Sequence, residues 1–241
     1  MSTVLSTITV IGAGGKMGMR ISANLQRSHY QVFYCESAPK AQAQVTEQGR
    51  ELSSAESVVP HSDVVILAVP DIVLGKVSEG IVPLMKAGAT LLTLDPAAAY
   101  ANLIALRDGI HYAVAHPCHP SVFLDRYTKE EHADAFGGVA AIQHVAASFE
   151  SGSDAQKAEL SKVIGVMYGP VEQVHWVTVK QLAYLEPTLV ETVACMVGSF
   201  MKEALDETVK HSGVPEEAAK AMLYGHIQIA LAVAFLSLIH I

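Results

Sequence analysis

The chain has 241 residues, with 16 Lys and Arg against 24 Asp and Glu, a formal net charge of −8, 51% hydrophobic residues and 17% charged ones. That length suits one large domain, or one with a small companion; the composition is too apolar for a disordered chain, and the acidic balance opposes a general binder of nucleic-acid backbones. Mean hydropathy is positive, yet the longest apolar stretch, residues 229–239, is about half of the roughly 20 residues a bilayer span needs, so no membrane span is expected.

No Lys or Arg occurs in the first fifteen residues, so the basic start of a secretory signal is missing. Cys35, Cys118 and Cys195 are an odd, scattered set that offers no disulfide framework. Both features predict a soluble protein of the reducing cytoplasm.

Residues 7–11 (TITVI) are a β-branched run ending in a glycine cluster, and residues 17–26 then carry apolar side chains at helical spacing. Strand, tight turn and helix are predicted. Residues 31–35, 63–69, 90–94 and 111–115 read as further strands, with helices between most of them, notably 72–85. Such alternation predicts an α/β fold with a doubly wound, mostly parallel sheet covered on both faces, of Rossmann type. Two more strands, 139–144 and 171–177, flank a helix over 154–167.

After Thr178 the pattern is helical only. One helix is predicted from about 178 to 211, closing at Gly213, and a second starts at Pro215 with Glu216 and Glu217 in its first turn, where the macrodipole favours acids. The boundary divides a nucleotide-binding domain, residues 1–178, from an all-helical one, residues 179–241. Few charges fall between Leu182 and Phe200, and all-round apolarity predicts burial against a second subunit, hence a homodimer through these helices. The last six residues, LSLIHI (236–241), match one reading frame of a transposase adapter end used in sequencing libraries. The expectation is that the natural chain continues and part of the helical domain is missing.

The turn after the first strand reads Gly12-Ala13-Gly14-Gly15-Lys16-Met17-Gly18. Glycines there let backbone N–H groups approach a pyrophosphate, whose charge the N-terminus of the next helix stabilises. The spacing Gly12-x-x-Gly15-x-x-Gly18 resembles the variant of dihydrodipicolinate reductases and prephenate dehydrogenase-like proteins. Glu36 ends the second strand eighteen residues past Gly18, placed to accept the adenosine ribose hydroxyls; it would repel a 2′-phosphate, so NAD is predicted over NADP. Pro70, in Ala68-Val69-Pro70-Asp71, is expected to end the third strand beside the cofactor groove.

His116-Pro117-Cys118-His119-Pro120 follows the fifth strand, at the sheet edge where such folds bind ligands. His116 and His119 are candidates for a general base or metal ligands, whereas the Cys118 thiol reads as inert buried packing. Further on, Glu186 stands in apolar company before Pro187, where a carboxylate needs a partner such as a metal ion or an imidazole. Glu191 lies five positions on, about 140° around a regular helix, so the two share a site only if Pro187 distorts the backbone; Thr188-x-x-Glu191 also has capping-box spacing. Lys180 is a candidate anchor for a substrate carboxylate or a proton-transfer group. His226, on an apolar helical face, reads first as a core histidine.

Taken together, Gly12 to Gly18, His116-Pro-Cys-His119-Pro, Glu186-Pro-Thr-Leu-Val-Glu191 and Tyr224-Gly225-His226 resemble the NAD-binding proteins related to 6-phosphogluconate dehydrogenase, and more closely the D-apionate oxidoisomerase family. That resemblance implies oxidation of a branched sugar acid by NAD, coupled to a 1,2-shift of a carbon substituent. The lysine-and-asparagine pair usual on the corresponding helix of 6-phosphogluconate dehydrogenases is reduced to Lys180, with Tyr184 four places on, so their decarboxylating mechanism does not carry over. For the shift, a divalent metal on His116 and Glu186, with Glu191 and His119 behind them, would polarise the new carbonyl. Base and ligand roles then compete for His116. Two rivals stay open: a metal-free NAD-dependent dehydrogenase of 3-hydroxy acids or sugar acids, and a non-catalytic NAD-sensing module.

Overall fold

The structure, a computed structural model, describes residues 5–236. The chain divides into two compact units, Met1–Ala183 and Tyr184–Ile241. Most of the adapter-like ending, residues 237–241, lies outside the described residues.

The first unit is a seven-stranded sheet in the order β2-β1-β3-β4-β5-β6-β7. Its strands are β1 (Thr7–Ile11), β2 (Gln31–Cys35), β3 (Val64–Leu67), β4 (Thr90–Thr93), β5 (His111–Pro117), β6 (Gln143–Ser148) and β7 (Val171–Trp176). β1 to β5 pair in parallel, β6 runs antiparallel to β5, and β7 returns parallel to β6. The sheet is mostly parallel and doubly wound, and its fully buried central strand, Val64-Val65-Ile66-Leu67, sends alternate side chains to opposite faces. Val64 and Ile66 join the core under α1 (Lys16–Gln26), while Val65 and Leu67 join a second core with Leu91 and Ile110.

The remaining helices that start in this unit are α2 (Pro39–Glu47), α3 (Ala55–Val58), α4 (Asp71–Ile81), α5 (Ala97–Tyr100), α6 (Lys129–Ala133), α7 (Asp154–Met167) and α8 (Val179–Leu185), the last of which runs two residues past its end. α7 brings Leu160, Val163, Ile164 and Met167 to the α1 face. The helix predicted over 72–85 stops at Ile81 and tightens into a 3₁₀ turn, Val82–Leu84, because Pro83 has no N–H to donate. β3 ends at Leu67, before Pro70, so the proline serves as N-cap of α4 rather than closing the ladder.

Two strand boundaries also differ from expectation. β6 starts at Gln143 instead of residue 139, because one Asp134 carboxylate oxygen accepts the Val139, Ala140 and Ala141 amides at 3.0, 2.8 and 3.1 Å and holds them in a loop. β5 extends through His116 and Pro117, pairing them with Ala146 and Val145 of β6. The β4 register ends at Val114, so no neighbour on that side needs the N–H that Pro117 lacks.

The second unit continues the helical run as a π-helical segment, Glu186–Ala194, followed by α9 (Cys195–Ser212) and α10 (Glu216–Leu236). The single predicted helix is thus a composite. α9 closes at Gly213, whose φ of 70° is the left-handed cap that glycine supplies without strain. The apolar side chains Leu189, Val193, Met196 and Phe200, expected to be buried, are exposed in the single chain. With 21 residues, α10 is long and apolar enough to cross a membrane by length and composition, although no unbroken apolar run in the sequence reaches that length. Its charges all fall in the first turn or so, at Glu216, Glu217 and Lys220.

Candidate active site

The glycine turn is closed to side chains at three positions. Gly12 has φ +81°, and a Cβ there would lie 2.6 Å from the Ala68 carbonyl oxygen. A Cβ on Gly14 would run into the Ala41 carbonyl, and one on Gly18 into the Gly12 carbonyl. Gly15, the N-cap of α1, has its nearest neighbour at 3.4 Å, an ordinary contact. The steric requirement therefore falls on Gly12, Gly14 and Gly18 rather than on the evenly spaced triplet. Ala13 is buried beneath the turn, and Lys16 and Met17 open α1, whose first N–H groups have no intrahelical acceptor and suit a phosphate.

Glu36 lies just past β2 and is part of the same structure. Its Oε2 accepts the Gly14 N–H at 3.0 Å, and its Oε1 accepts the Ser37 and Ala38 N–H groups at 2.8 and 3.0 Å. The carboxylate is thereby fixed at the edge of the turn, and the backbone cradle a Cβ would fill on three sides fits a dinucleotide.

A cleft of about 350 Å³ opens at the carboxyl ends of the strands. Gly15, Lys16 and Met17 line it from the turn, Val69, Pro70 and Asp71 from beyond β3, Leu94 and Asp95 from beyond β4, His116 from β5 and His119 from the loop that follows it. Phe136 forms one wall, under the Arg20 guanidinium at 4.5 Å and the Lys16 ammonium at 5.4 Å. Another hollow, of about 480 Å³, sits at the opposite, amino-terminal edge around Asp63 and Lys86, whose charges already pair at 2.6 Å.

His116 lies inside this cleft with Nδ1 3.1 Å from the Leu94 carbonyl oxygen. A carbonyl only accepts, so Nδ1 carries the proton and the lone pair of the neutral ring is on Nε2. Burial holds the imidazole below its ordinary value, outweighing the Leu94 bond and the nearby Asp95 charge. A neutral ring with a basic Nε2 can take a proton or bind a metal. A carboxylate oxygen of Asp95 and a ring nitrogen of His116 lie within 4.8 Å of one another. Asp95 was not legible as a site residue; its signal was an Asp-Pro step at the end of a buried strand, on the edge that also carries Asp71 and His116.

His119 adopts φ 62°, with Nδ1 2.8 Å from the Phe136 carbonyl oxygen and its ring 4.4 Å from that of Phe136. It shares the cleft with His116 as the sequence proposed. Cys118 is exposed, not packed away, and lies one residue past the end of β5. Tyr168 also reaches the cleft, but burial pushes its phenol far up and its hydroxyl donates to the Ala115 carbonyl at 2.8 Å, so it is structural.

Lys180 is an exposed residue of α8, in the first unit. Glu186 and Glu191 belong to the second, at either end of the first five-residue repeat of the π-helical segment. Its i→i+5 bonding stacks residues five apart, so the distortion that a shared face required is present. Thr192 Oγ1 donates to the Pro187 carbonyl at 2.6 Å with the same spacing. Thr188 donates its hydroxyl to the Tyr184 carbonyl, so no capping box forms. His226 is exposed on α10, with Nδ1 2.8 Å from the Met222 carbonyl oxygen, and none of the described residues covers that face.

Comparison with known proteins agrees with this geometry. Residues 7–100 match the NAD binding domain of 6-phosphogluconate dehydrogenase, and residues 124–239 match the C-terminal domain of decarboxylating phosphogluconate dehydrogenase. The chain is 78% identical over 237 residues to D-apionate oxidoisomerase of Pectobacterium atrosepticum, covering 98% of this chain and 83% of the relative. It is 42% identical over 222 residues to D-apionate oxidoisomerase of Blautia hydrogenotrophica, covering 91% and 77%. A semialdehyde dehydrogenase NAD-binding protein from Cupriavidus necator, solved in complex with calcium and NAD, superposes with a TM-score of 0.91 at 40% identity, covering 97% of this chain and 84% of that one. With its cradle built for NAD and such identity along almost its whole length, this chain is an NAD-dependent oxidoreductase and belongs to the D-apionate oxidoisomerase family.

Proposed function

We propose that the protein oxidises D-apionate with NAD and couples the oxidation to a 1,2-shift, giving 3-oxo-isoapionate. The observation that carries this reading is His116: neutral, tautomerically fixed by Leu94, beside Asp95, and in one cleft with the glycine turn. Bound NAD supplies the hydride acceptor. Nε2 of His116 takes the proton of the secondary hydroxyl as the carbon is oxidised. The new ketone adjoins a carbinol carbon; as the migrating carbon moves to the ketone carbon, the carbinol proton is released and the former carbonyl oxygen gains one. Substrate, NAD and product then balance with one NADH and one proton.

A divalent cation supplies the Lewis acid such a shift uses. The calcium in the Cupriavidus necator relative supports a hard cation, and hard cations take oxygen donors. That choice assigns the Asp95 carboxylate to the metal and leaves His116 for the proton. Glu186 and Glu191 enter as further ligands on sequence grounds, Lys180 as an anchor for the substrate carboxylate, and His119 as a second group for proton transfer. The exposed apolar side chains of the second unit, among them Phe200, Met222, Ile229 and Phe235, support a homodimer through these helices. The cytoplasm is the compartment that NAD chemistry and unpaired cysteines favour.

The test follows NADH absorbance on adding D-apionate, with and without chelator, in wild type, Asp95→Asn and Glu186→Gln. Chelator and both variants are expected to stop turnover while NAD binding persists. Turnover that resists chelator, with an unrearranged keto acid as product, would replace this reading with a simple dehydrogenase.

A further inference from the structure

Away from the cleft, β6 and the edge strand β7 carry a pair of imidazoles. His144 pairs in register with Gln173, and His175 lies two positions further along β7, so the two histidines stand diagonally on one face of the sheet. His175 Nε2 is 3.1 Å from His144 Nδ1, with the ring centroids 5.0 Å apart and the planes inclined by 33°. On the far side of its ring, His144 Nε2 lies 3.3 Å from the Glu172 carboxylate. A carboxylate accepts, so Nε2 carries the proton, and in the neutral ring the lone pair sits on Nδ1, directed at His175.

That lone pair accepts the His175 Nε2–H; once the proton of the neutral His175 ring moves to its Nδ1, the two nitrogens at this separation match neighbouring ligands on one transition-metal ion. With metal–nitrogen bonds of about 2.0–2.1 Å, a tetrahedral angle puts two nitrogens about 3.3 Å apart and a right angle about 2.9 Å. The carboxylate behind His144 supplies the other usual part, since metal-bound imidazoles commonly donate their second N–H to a carboxylate that orients the ring. The side chains of His144 and Glu172 are 40% and 61% exposed, so an ion reaches the pair from solvent.

We propose that His144 and His175 bind a borderline transition-metal cation, Zn²⁺, Ni²⁺ or Cu²⁺, with Glu172 orienting His144, water completing the coordination, and the ion clipping edge strand β7 to β6. Imidazole donors suit these ions, whereas the hard cation proposed for the cleft takes oxygens. The two sites therefore differ in chemistry as well as place. Because the ion binds the paired strands and not the unfolded chain, it stabilises the sheet edge by mass action.

Trp176, the only tryptophan of the chain, follows His175 and reports on the site. Cu²⁺ or Ni²⁺ would be titrated against its fluorescence in the full chain, in wild type, His116→Ala, His144→Ala, His175→Ala and Glu172→Gln, with Zn²⁺-dependent thermal melts alongside. Saturable quenching and a Zn²⁺-raised melting temperature are expected in wild type and in His116→Ala. Both should weaken about tenfold in Glu172→Gln and more in either histidine variant, whose folding circular dichroism checks. Curves for His144→Ala and His175→Ala that superimpose on wild type, or a wild type that shows no quenching, would overturn the proposal.

Discussion

Oε2 of Glu36 accepts the Gly14 N–H at 3.0 Å, which ties the acid at the end of β2 to the glycine turn after β1. One carboxylate shapes the turn, and the proposed role of the same group is to accept the ribose hydroxyls of NAD. Removing its charge in Glu36→Gln should cost about 1.5–3 kcal/mol of cofactor binding, roughly ten- to a hundredfold in affinity, while narrowing the preference for NAD over NADP. Titrating both nucleotides against the variant checks this; an unchanged ratio would separate Glu36 from nucleotide choice.

The unequal crowding of the glycines predicts unequal tolerance. In Gly18→Ala the new methyl meets the Gly12 carbonyl, and α1 must move off the turn. Overpacking of this kind costs about 1–3 kcal/mol, or roughly 2–12 °C of melting temperature in a domain of this size. Gly15→Ala, with its nearest contact at 3.4 Å, should melt within a few degrees of wild type. Thermal unfolding of the two variants side by side decides the matter.

Acid pH should silence the enzyme through His116. Burial depresses its imidazole below the ordinary value, so the ring is neutral through the neutral range and the acid limb of kcat/KM should fall below about pH 6.5. The same depressed value means that the unfolded chain binds the proton more tightly. The stability this group contributes is complete above about pH 6.5 and declines as pH falls through the lowered value. His116→Gln should remove the acid limb along with nearly all turnover. A limb at unchanged position in that variant would assign it to another group.

Asp63 offers a structural counterpart at the far edge of the sheet. It accepts the Ser6 and Thr7 amides at 2.9 and 3.0 Å and the Lys86 ammonium at 2.6 Å. Burial raises its value, but these bonds outweigh it and hold the carboxyl below the usual range. Asp63→Ala leaves the two amides unmatched and should cost about 1–3 kcal/mol, with the partly exposed Lys86 adding little. In urea unfolding, the wild-type advantage should be full above about pH 4 and shrink as pH falls through the lowered value.

Much of the fold is written locally. The β-branched run at Thr7–Ile11, the glycines after it and the acid just past β2 announce a nucleotide cradle because they follow one another at the spacing of a strand-turn-helix-strand unit, even though Gly12 and Glu36 make their contacts with Ala68 and Gly14. What local pattern does not carry is set by loop contacts, at long range or by an unusual ladder. Asp134 holds the Val139–Ala141 amides from five to seven residues away, a contact that residue alternation does not register, so they read as strand. Asp95 gains meaning only when β4 and β5 lie side by side and bring it to His116. The five-residue spacing of Glu186 and Glu191 argued against a common face on an α-helix, and the π-helical segment removes that objection.

The partner that fixes the His116 tautomer is the main-chain oxygen of Leu94. No side-chain replacement at position 94 can delete an atom that every amino acid possesses. The hydrogen bond that sets the tautomer of this ring is consequently shielded from side-chain replacement at its own support.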